Sequence, residues 1–302
     1  MTSMAKHRVL VTGAFGFIGS RFVELAEMTG AYDLHIMPQA IDLRNYEMIQ
    51  QYCFDKGNFQ YLLHFADKNP TSEIARRSPH QNMQDNLAIA ANALRIWEEL
   101  FSEATFVGFD SVWAYPEGLT EITETDYWNG AMPSISSHYG IVKKLLHVGI
   151  DTLARQKGMR GKMFLLGNVY GPGDQSSRLI PTVLRKMIDQ TDVLLMTSGN
   201  EKRDFIYLDD QIQGILVNLD ADVRILNVSS GVYHSVRQVV EEIASQLRFR
   251  GNVEYSGGEG RGVTRTIDMS RAMSITGWPS SHDLLSLKAG LRKTITLDLK
   301  QK

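Results

Sequence analysis

The amino-acid sequence predicts an α/β fold, a doubly wound parallel sheet with helices on both faces, followed by a smaller C-terminal region. Three observations predict it. Short apolar runs alternate with longer amphipathic stretches through the first half of the chain, a glycine cluster separates the first run from the first amphipathic stretch, and the alternation loosens after Asn168. Strands that alternate with helices are joined by crossovers, and right-handed crossovers cover both faces of a parallel sheet.

The elements follow in order. Val9-Leu10-Val11 is the first strand, and a helical stretch runs from about Phe17 to Met28. A second strand reads about Asp33 to Met37. Tyr61-Leu62-Leu63-His64-Phe65 comes next, then a loop and a long helical stretch from about His80 to Leu100. A strand over Ala104 to Gly108 continues through Asp110 and ends at Ser111. A helix from about His138 to Gln156 and a strand at Met163 to Leu166 complete the regular part. Beyond it, Gly171-Pro172-Gly173-Asp174 is a loop, Val193 to Leu195 and Arg224 to Val228 are short strands, and Val236 to Leu247 is a helix before the glycine-rich Gly257 to Gly260.

Composition excludes whole classes of function. A chain of 302 residues, 43% hydrophobic, buries enough surface to fold without disulfide or metal staples. Lys+Arg 32 against Asp+Glu 34 leaves no electrostatic footprint for nucleic acid or an anionic membrane. The single cysteine, Cys53, rules out a disulfide framework and a multi-cysteine zinc site, so no metal site is expected. Met1 to Arg8 is too polar for a signal peptide, and no run approaches the roughly 18 apolar residues of a membrane span. The expectation is a cytoplasmic protein with no nucleic-acid or membrane partner.

Thr12-Gly13-Ala14-Phe15-Gly16-Phe17-Ile18-Gly19 joins the first strand to the first helix. The first two glycines allow a tight turn and close backbone approach to a pyrophosphate. The third lets the helix pack on the strand, and the helix N-terminus offers amide donors. This strand-turn-helix context predicts a Rossmann-like dinucleotide site, with Gly13, Phe15, Gly16, Phe17, Ile18 and Gly19 against the cofactor.

The spacing Gly-x-x-Gly-x-x-Gly resembles the short-chain dehydrogenase/reductase superfamily, a resemblance that demands a Tyr-x-x-x-Lys pair on a later helix and a Ser or Thr at the end of the strand before it. Tyr139-Gly140-Ile141-Val142-Lys143 and Ser111 meet the demand. Four residues apart on a helix share a face, so the Lys143 ammonium can stand near the Tyr139 phenol. A free tyrosine, of pKa about 10, is about 0.1% ionised at neutral pH, and a cation that lowered it to about 7 would raise the tyrosinate several-hundredfold. Ser111 would donate to the substrate oxygen and hold it against the phenol.

The segments Phe109 to Pro116, His64 to Lys68, Asn168 to Asp174 and Arg203 to Asp210 resemble the extended branch of that superfamily, the nucleotide-sugar epimerases, dehydratases and reductases. The likeness runs nearly end to end and is strongest to the GDP-L-fucose synthases. It implies a domain over 1–170 that binds NAD(P) and carries the Ser111, Tyr139, Lys143 triad. Residues 171–302 would form mostly a substrate-binding region, with some segments returning to the first domain. It also implies Asn168 at the substrate, Arg203 on a sugar-nucleotide diphosphate, Asp42-Leu43 at the adenine, and Phe65, Ala66 and Lys68 near the cofactor. The helices around 80–100 and 138–157 are the pair that such enzymes pack into a dimer interface, so a homodimer is implied.

Two departures narrow the chemistry. The 3,5-epimerising members use a Cys two residues after the catalytic Ser and a His after the Tyr-Gly-Pro segment; here Trp113 and about Arg178 stand there, where the resemblance implies contact with substrate, and neither can shuttle protons at neutral pH. The Asp-Glu pair of the dehydratases is replaced by Val112-Trp113. Chemistry that needs only the triad and a nicotinamide remains: reduction of a 4-keto-6-deoxy sugar is the first expectation, with oxidation of a sugar hydroxyl and 4-epimerisation by an enzyme holding NAD tightly beside it, and a non-catalytic dinucleotide-binding regulator as the alternative of another class. The second strand ends in Pro38-Gln39 without an acid, which favours NADP(H) over NAD(H) by a small margin. His64, His138 and Cys53 are expected to be structural.

Overall fold

The computed structural model describes residues 6–68, 77–116, 118–131, 137–257, 264–280 and 284–300, with the side chains of 137–139 outside that set. Its first half follows β1 (His7–Thr12), α1 (Phe17–Thr29), β2 (Tyr32–Ile36), α2 (Tyr46–Cys53), β3 (Tyr61–His64), α3 (Pro79–Leu100), β4 (Thr105–Ser111), β5 (Glu121–Ile122), α4 (Ser137–Lys157) and β6 (Gly161–Leu166). Then come β7 (Asn168–Tyr170), α5 (Leu179–Ile188), β8 (Val193–Leu195), β9 (Lys202–Tyr207), α6 (Leu208–Val217), β10 (Ile225–Val228), β11 (Tyr233–Ser235), α7 (Val236–Leu247), β12 (Val253–Tyr255), β13 (Thr266–Ile267), α8 (Ser270–Thr276) and α9 (Leu287–Lys300).

A six-stranded sheet has the order β10-β6-β4-β3-β1-β2. The pairs β1–β2, β1–β3 and β3–β4 are parallel: Val9 faces Leu34 on one side and Tyr61 on the other, and Leu63 faces Val107. Helices cover both faces of such a sheet, which explains why its strands read as unbroken apolar runs. Val9, Leu10, Val11, Leu62, Leu63, Phe106, Val107, Phe164 and Leu165 are all fully buried. The fold is thus Rossmann-like, as its alternation predicts. Local sequence sets the helix ends. Gly30 takes the left-handed conformation that closes α1, Asn45 accepts from the Met48 amide at the start of α2, and Pro79 opens α3.

β2 lies on one side of β1 and β3 on the other. The chain therefore reverses its direction of travel across the sheet between β1 and β3, and a crevice opens outside the carboxyl ends of two such strands.

The chain divides into two compact units. One comprises Met1–Ala114, Met132–Leu165 and Asp222–Leu226; the other comprises Tyr115–Ala131, Leu166–Ala221 and Asn227–Lys302. The second unit holds three small sheets, β11-β9-β7, β12-β8 and β13-β5. Its core gathers Tyr170, Ile180, Leu184, Phe205, Val239, Ile243 and Leu291 from α5, α7, α9 and the adjoining strands. Ser235 and Gln238 cap α7 reciprocally. Among the described residues no helix is long and apolar enough to cross a membrane.

Candidate functional site

The turn after β1 is built by backbone contact. Gly13 has a φ of +73°, and a Cβ placed on it would lie 2.5 Å from the Ala66 nitrogen and 2.7 Å from the Phe65 carbonyl carbon. A Cβ on Gly19 would lie 2.2 Å from the Gly13 oxygen, so α1 rests on the turn at van der Waals distance. The Gly16 amide donates to the Gly13 carbonyl at 3.1 Å, and the Phe65 amide donates to the Thr12 carbonyl at 3.0 Å. Phe65 in turn stacks on Phe109 with centroids 4.0 Å apart. The carboxyl ends of β1, β3 and β4 are thereby locked together at the sheet's reversal point, with the amides of the first turn of α1 beside them. No acidic side chain occupies that turn. A cradle that admits no side chain and presents amide donors fits a dinucleotide's pyrophosphate. Phe15 is exposed on the loop and Phe17 and Ile18 are half-buried at the helix start.

Asp42 follows β2. Arg44 donates to it from its backbone, Nε and Nη2, and these bonds hold the Asp42 carboxyl down at about 2. Arg44 also reaches Asp85 on α3. The Leu43 carbonyl accepts from Asn92 at 2.9 Å.

Lys143 lies deep in the same unit. Its Nζ donates to the Phe109 carbonyl at 2.9 Å and pairs with Asp67 Oδ2 at 3.0 Å. Tyr139 stands one helical turn earlier in α4, and its side chain, like that of His138, lies outside the described residues. Ser111 ends β4; its amide donates to Asp110 Oδ1 at 2.7 Å, and its hydroxyl accepts from the Trp113 amide at 3.3 Å, which turns the chain into the short 3-10 segment Val112–Ala114. His64 is fully buried with Nδ1 2.8 Å from the Thr12 hydroxyl. Burial first, and the Lys143 charge second, push it down to about 3, so it is neutral near pH 7.

Two residues of this neighbourhood were not singled out from the sequence. Asn86 accepts from the Lys68 amide at 2.7 Å and donates to the Lys68 carbonyl at 3.1 Å, with Asn82 one turn before it. Both asparagines are buried on α3. Two amides at i, i+4 on an otherwise apolar helix face were the available signal, since a buried amide needs partners. They fix the Lys68 backbone, while the Lys68 side chain is exposed. Cys53 is buried, and burial pushes its thiol up to about 12 against the smaller pull of Lys56, a nearby cation that the sequence did not identify.

In the second unit, Arg203 is on β9 with its side chain 19% exposed, and its Nη2 lies 3.7 Å from Glu201. Burial lowers its affinity for the proton. It is therefore no solvated loop cation. Asn168 on β7 donates to the Asp204 carbonyl at 2.8 Å, which ties it to the strand that carries Arg203. Asp204 is itself fully buried and accepts from Ser229, Ser230 and Gly231. Arg178, at the start of α5, is engaged locally by Asp174 and Ser176.

Comparison with known proteins agrees with this architecture. Residues 9–229 match the NAD dependent epimerase/dehydratase family. GDP-L-fucose synthase of Escherichia coli is 23% identical over 96% of this chain and 96% of its own. Two solved structures share the fold. The UDP-glucose 4-epimerase of Thermus thermophilus in complex with NAD has a TM-score of 0.79 at 20% identity, covering 97% of this chain and 99% of its own. The GDP-mannoheptose C4 reductase of Campylobacter jejuni with NADP bound has a TM-score of 0.84 at 20% identity, covering 99% and 100%. These likenesses extend over relatives of different activity and do not single out the GDP-L-fucose synthases. Nor do they favour NADP over NAD.

Proposed function

Because the chain belongs to the NAD dependent epimerase/dehydratase family, we propose that it is an NAD(P)-dependent enzyme acting on a nucleotide-linked sugar, and that its reaction is reduction of a 4-keto-6-deoxy sugar. The observation that carries this is the Lys143 ammonium, buried at the Phe109 carbonyl, one helical turn from Tyr139 and in the same unit as the glycine cradle.

Gly13, Phe15, Gly16, Phe17, Ile18 and Gly19 would hold the pyrophosphate end of the cofactor, Asp42 and Leu43 the adenine, and Phe65, Ala66 and Lys68 the face along β3. When bound, the nicotinamide supplies the hydride that reaches the sugar's keto carbon. Tyr139 gives its proton to the keto oxygen, Ser111 donates a hydrogen bond that orients that oxygen, and the tyrosinate is reprotonated from water. Lys143 would bind the nicotinamide ribose and stabilise the tyrosinate. Arg203 would take the substrate diphosphate, for which a guanidinium fork suits both charge and geometry. Asn168, Trp113 and Arg178 would line the sugar nucleotide. Trp113 and Arg178 supply no acid-base pair, which supports simple reduction over double epimerisation. Met37-Pro38-Gln39 after β2 carries no carboxylate, which supports NADP(H) over NAD(H).

A homodimer accords with α4, where Ile141, Leu145 and Val148 form an exposed apolar stripe at helical spacing beside α3. A second copy of the chain is the occupant we assign to it.

Incubation with NADPH and a nucleotide-linked 4-keto-6-deoxy sugar should consume one NADPH per alcohol formed. Tyr139→Phe should abolish turnover and leave cofactor affinity nearly intact; an active Phe variant would remove Tyr139 from the mechanism. A protein that purifies with NAD and interconverts 4-hydroxyl epimers without net NADPH consumption would instead be the epimerase.

A further inference from the structure

The Lys143 ammonium carries a counter-charge. Asp67, in the loop that leaves β3, puts Oδ2 3.0 Å from Nζ, while the Phe109 carbonyl of β4 accepts from the same nitrogen at 2.9 Å. Lys143 is 7% exposed and Asp67 31%. The ammonium is thus pinned between two strand ends, and its charge is answered where it is held.

That matters for the role proposed above for Tyr139, which stands one helical turn before Lys143 in the chain. A lone buried ammonium lowers the pKa of a neighbouring phenol, because it favours the ionised form. A carboxylate at contact distance with the ammonium opposes that effect, because its field has the opposite sign. Three other titratable groups stand near this pair. His64, from β3, is held neutral. Asp110, from β4, acts on Lys144, the next residue of α4, and Lys68 acts on Asp42 and Asp85.

We infer that Asp67 is a positioning residue for Lys143: it holds the ammonium against the Phe109 carbonyl and offsets its charge, so that Tyr139 enters the cycle protonated, ready to donate to a ketone oxygen. This rests on the roles of Tyr139 and Lys143 proposed above. It does not alter the overall equilibrium. It sets which protonation form of the enzyme is present at neutral pH, the form that begins reduction, and puts the tyrosinate that begins alcohol oxidation at higher pH.

The test is an ultraviolet titration of the cofactor-free protein, taken as the difference between wild type and Tyr139→Phe so that one phenol among the 11 tyrosines is isolated. Asp67→Asn should move the Tyr139 midpoint down by about one pH unit, a tenfold rise in tyrosinate at a given pH below it. Asp67→Glu, which keeps the carboxylate, should stay near wild type. A structural role alone would change the melting temperature without moving the midpoint. Lys143→Met is the control for the underlying assignment and should move the midpoint up. If Lys143→Met moves it and folded Asp67→Asn does not, the role of Asp67 is overturned while the catalytic assignment stands. If neither substitution moves it, the assignment of Lys143 to Tyr139 fails, and the role of Asp67 fails with it. Should Asp67→Asn not fold, Asp67→Ser in the same titration gives the same decision.

Discussion

The Thr12 hydroxyl lies 2.8 Å from Nδ1 of His64, joining the carboxyl ends of β1 and β3 in a site from which water is excluded. His64 is pushed down to about 3 and His147, buried on α4, to about 4, each by burial first. Below the ordinary histidine pKa of about 6.5 the unfolded chain takes up protons that the folded chain refuses, so stability is lost as pH falls. Between pH 7 and 5, where carboxylates barely titrate, each histidine should cost about 2 kcal/mol of unfolding free energy. Urea denaturation at the two pH values measures the loss, and His64→Gln and His147→Gln should each reduce it by about 2 kcal/mol. A flat profile would mean that neither ring is held neutral.

Gly13 and Gly30 separate two costs of replacing a glycine. Both have positive φ, +73° and +69°, but a Cβ on Gly13 meets the Ala66 and Phe65 backbone whereas one on Gly30 meets nothing within 4 Å. Gly30→Ala should therefore cost about 1 kcal/mol from backbone strain alone and leave cofactor affinity unchanged. Gly13→Ala has to displace the β3 exit loop as well, and should both destabilise more and weaken NAD(P) binding at least tenfold. Calorimetric titration beside thermal melts distinguishes the two. Equal effects at both positions would refute the close approach as the reason for Gly13.

How far the sequence reveals this site depends on how local each relationship is. Val9 to Val11 and the three glycines lie within a dozen residues, and their pattern specifies strand, turn and helix without outside help. The same holds for Tyr139 and Lys143, because a helix sets their spacing. The partners that complete these arrangements within each unit are distant in sequence: Asp67 meets Lys143 and Asn86 meets Lys68 in the first, and Ser229 to Gly231 meet Asp204 in the second. A single sequence carries no register between such segments, so the residue types are visible and the pairing is not. Arg203 shows the other side of this limit. The family resemblance implied a diphosphate partner for it, while its depth in β9 came only from the packing around it.

Asp204 is the test of that hidden layer. Four donors, the hydroxyls of Ser229 and Ser230 and the amides of Ser230 and Gly231, converge on its carboxylate at 2.6 to 3.2 Å with no exposure to water. Burial pushes the carboxyl up, and these bonds oppose that. Asp204→Asn keeps the volume but turns an amide NH2 towards donors, leaving buried groups unmatched. The expected cost is about 3 kcal/mol or more. A urea midpoint close to wild type would show that the loop finds other partners.

Arg203→Lys asks what the neighbouring side chain does. Both residues are cations, but lysine offers a point charge where the guanidinium offers a planar fork that matches two phosphate oxygens at once. Beside Glu201 and only 19% exposed, the fork is held in a restricted volume, so the shorter-reaching ammonium cannot recover the second contact by moving. If Arg203 binds the substrate diphosphate, the substitution should raise KM for the nucleotide sugar about tenfold, the equivalent of one lost charge-assisted hydrogen bond of about 1.4 kcal/mol, with kcat and cofactor Kd nearly unchanged. A fall in kcat at constant KM would instead attach Arg203 to the chemical step, and a weakened cofactor Kd would attach it to the dinucleotide. Steady-state kinetics with direct cofactor titration decide among the three.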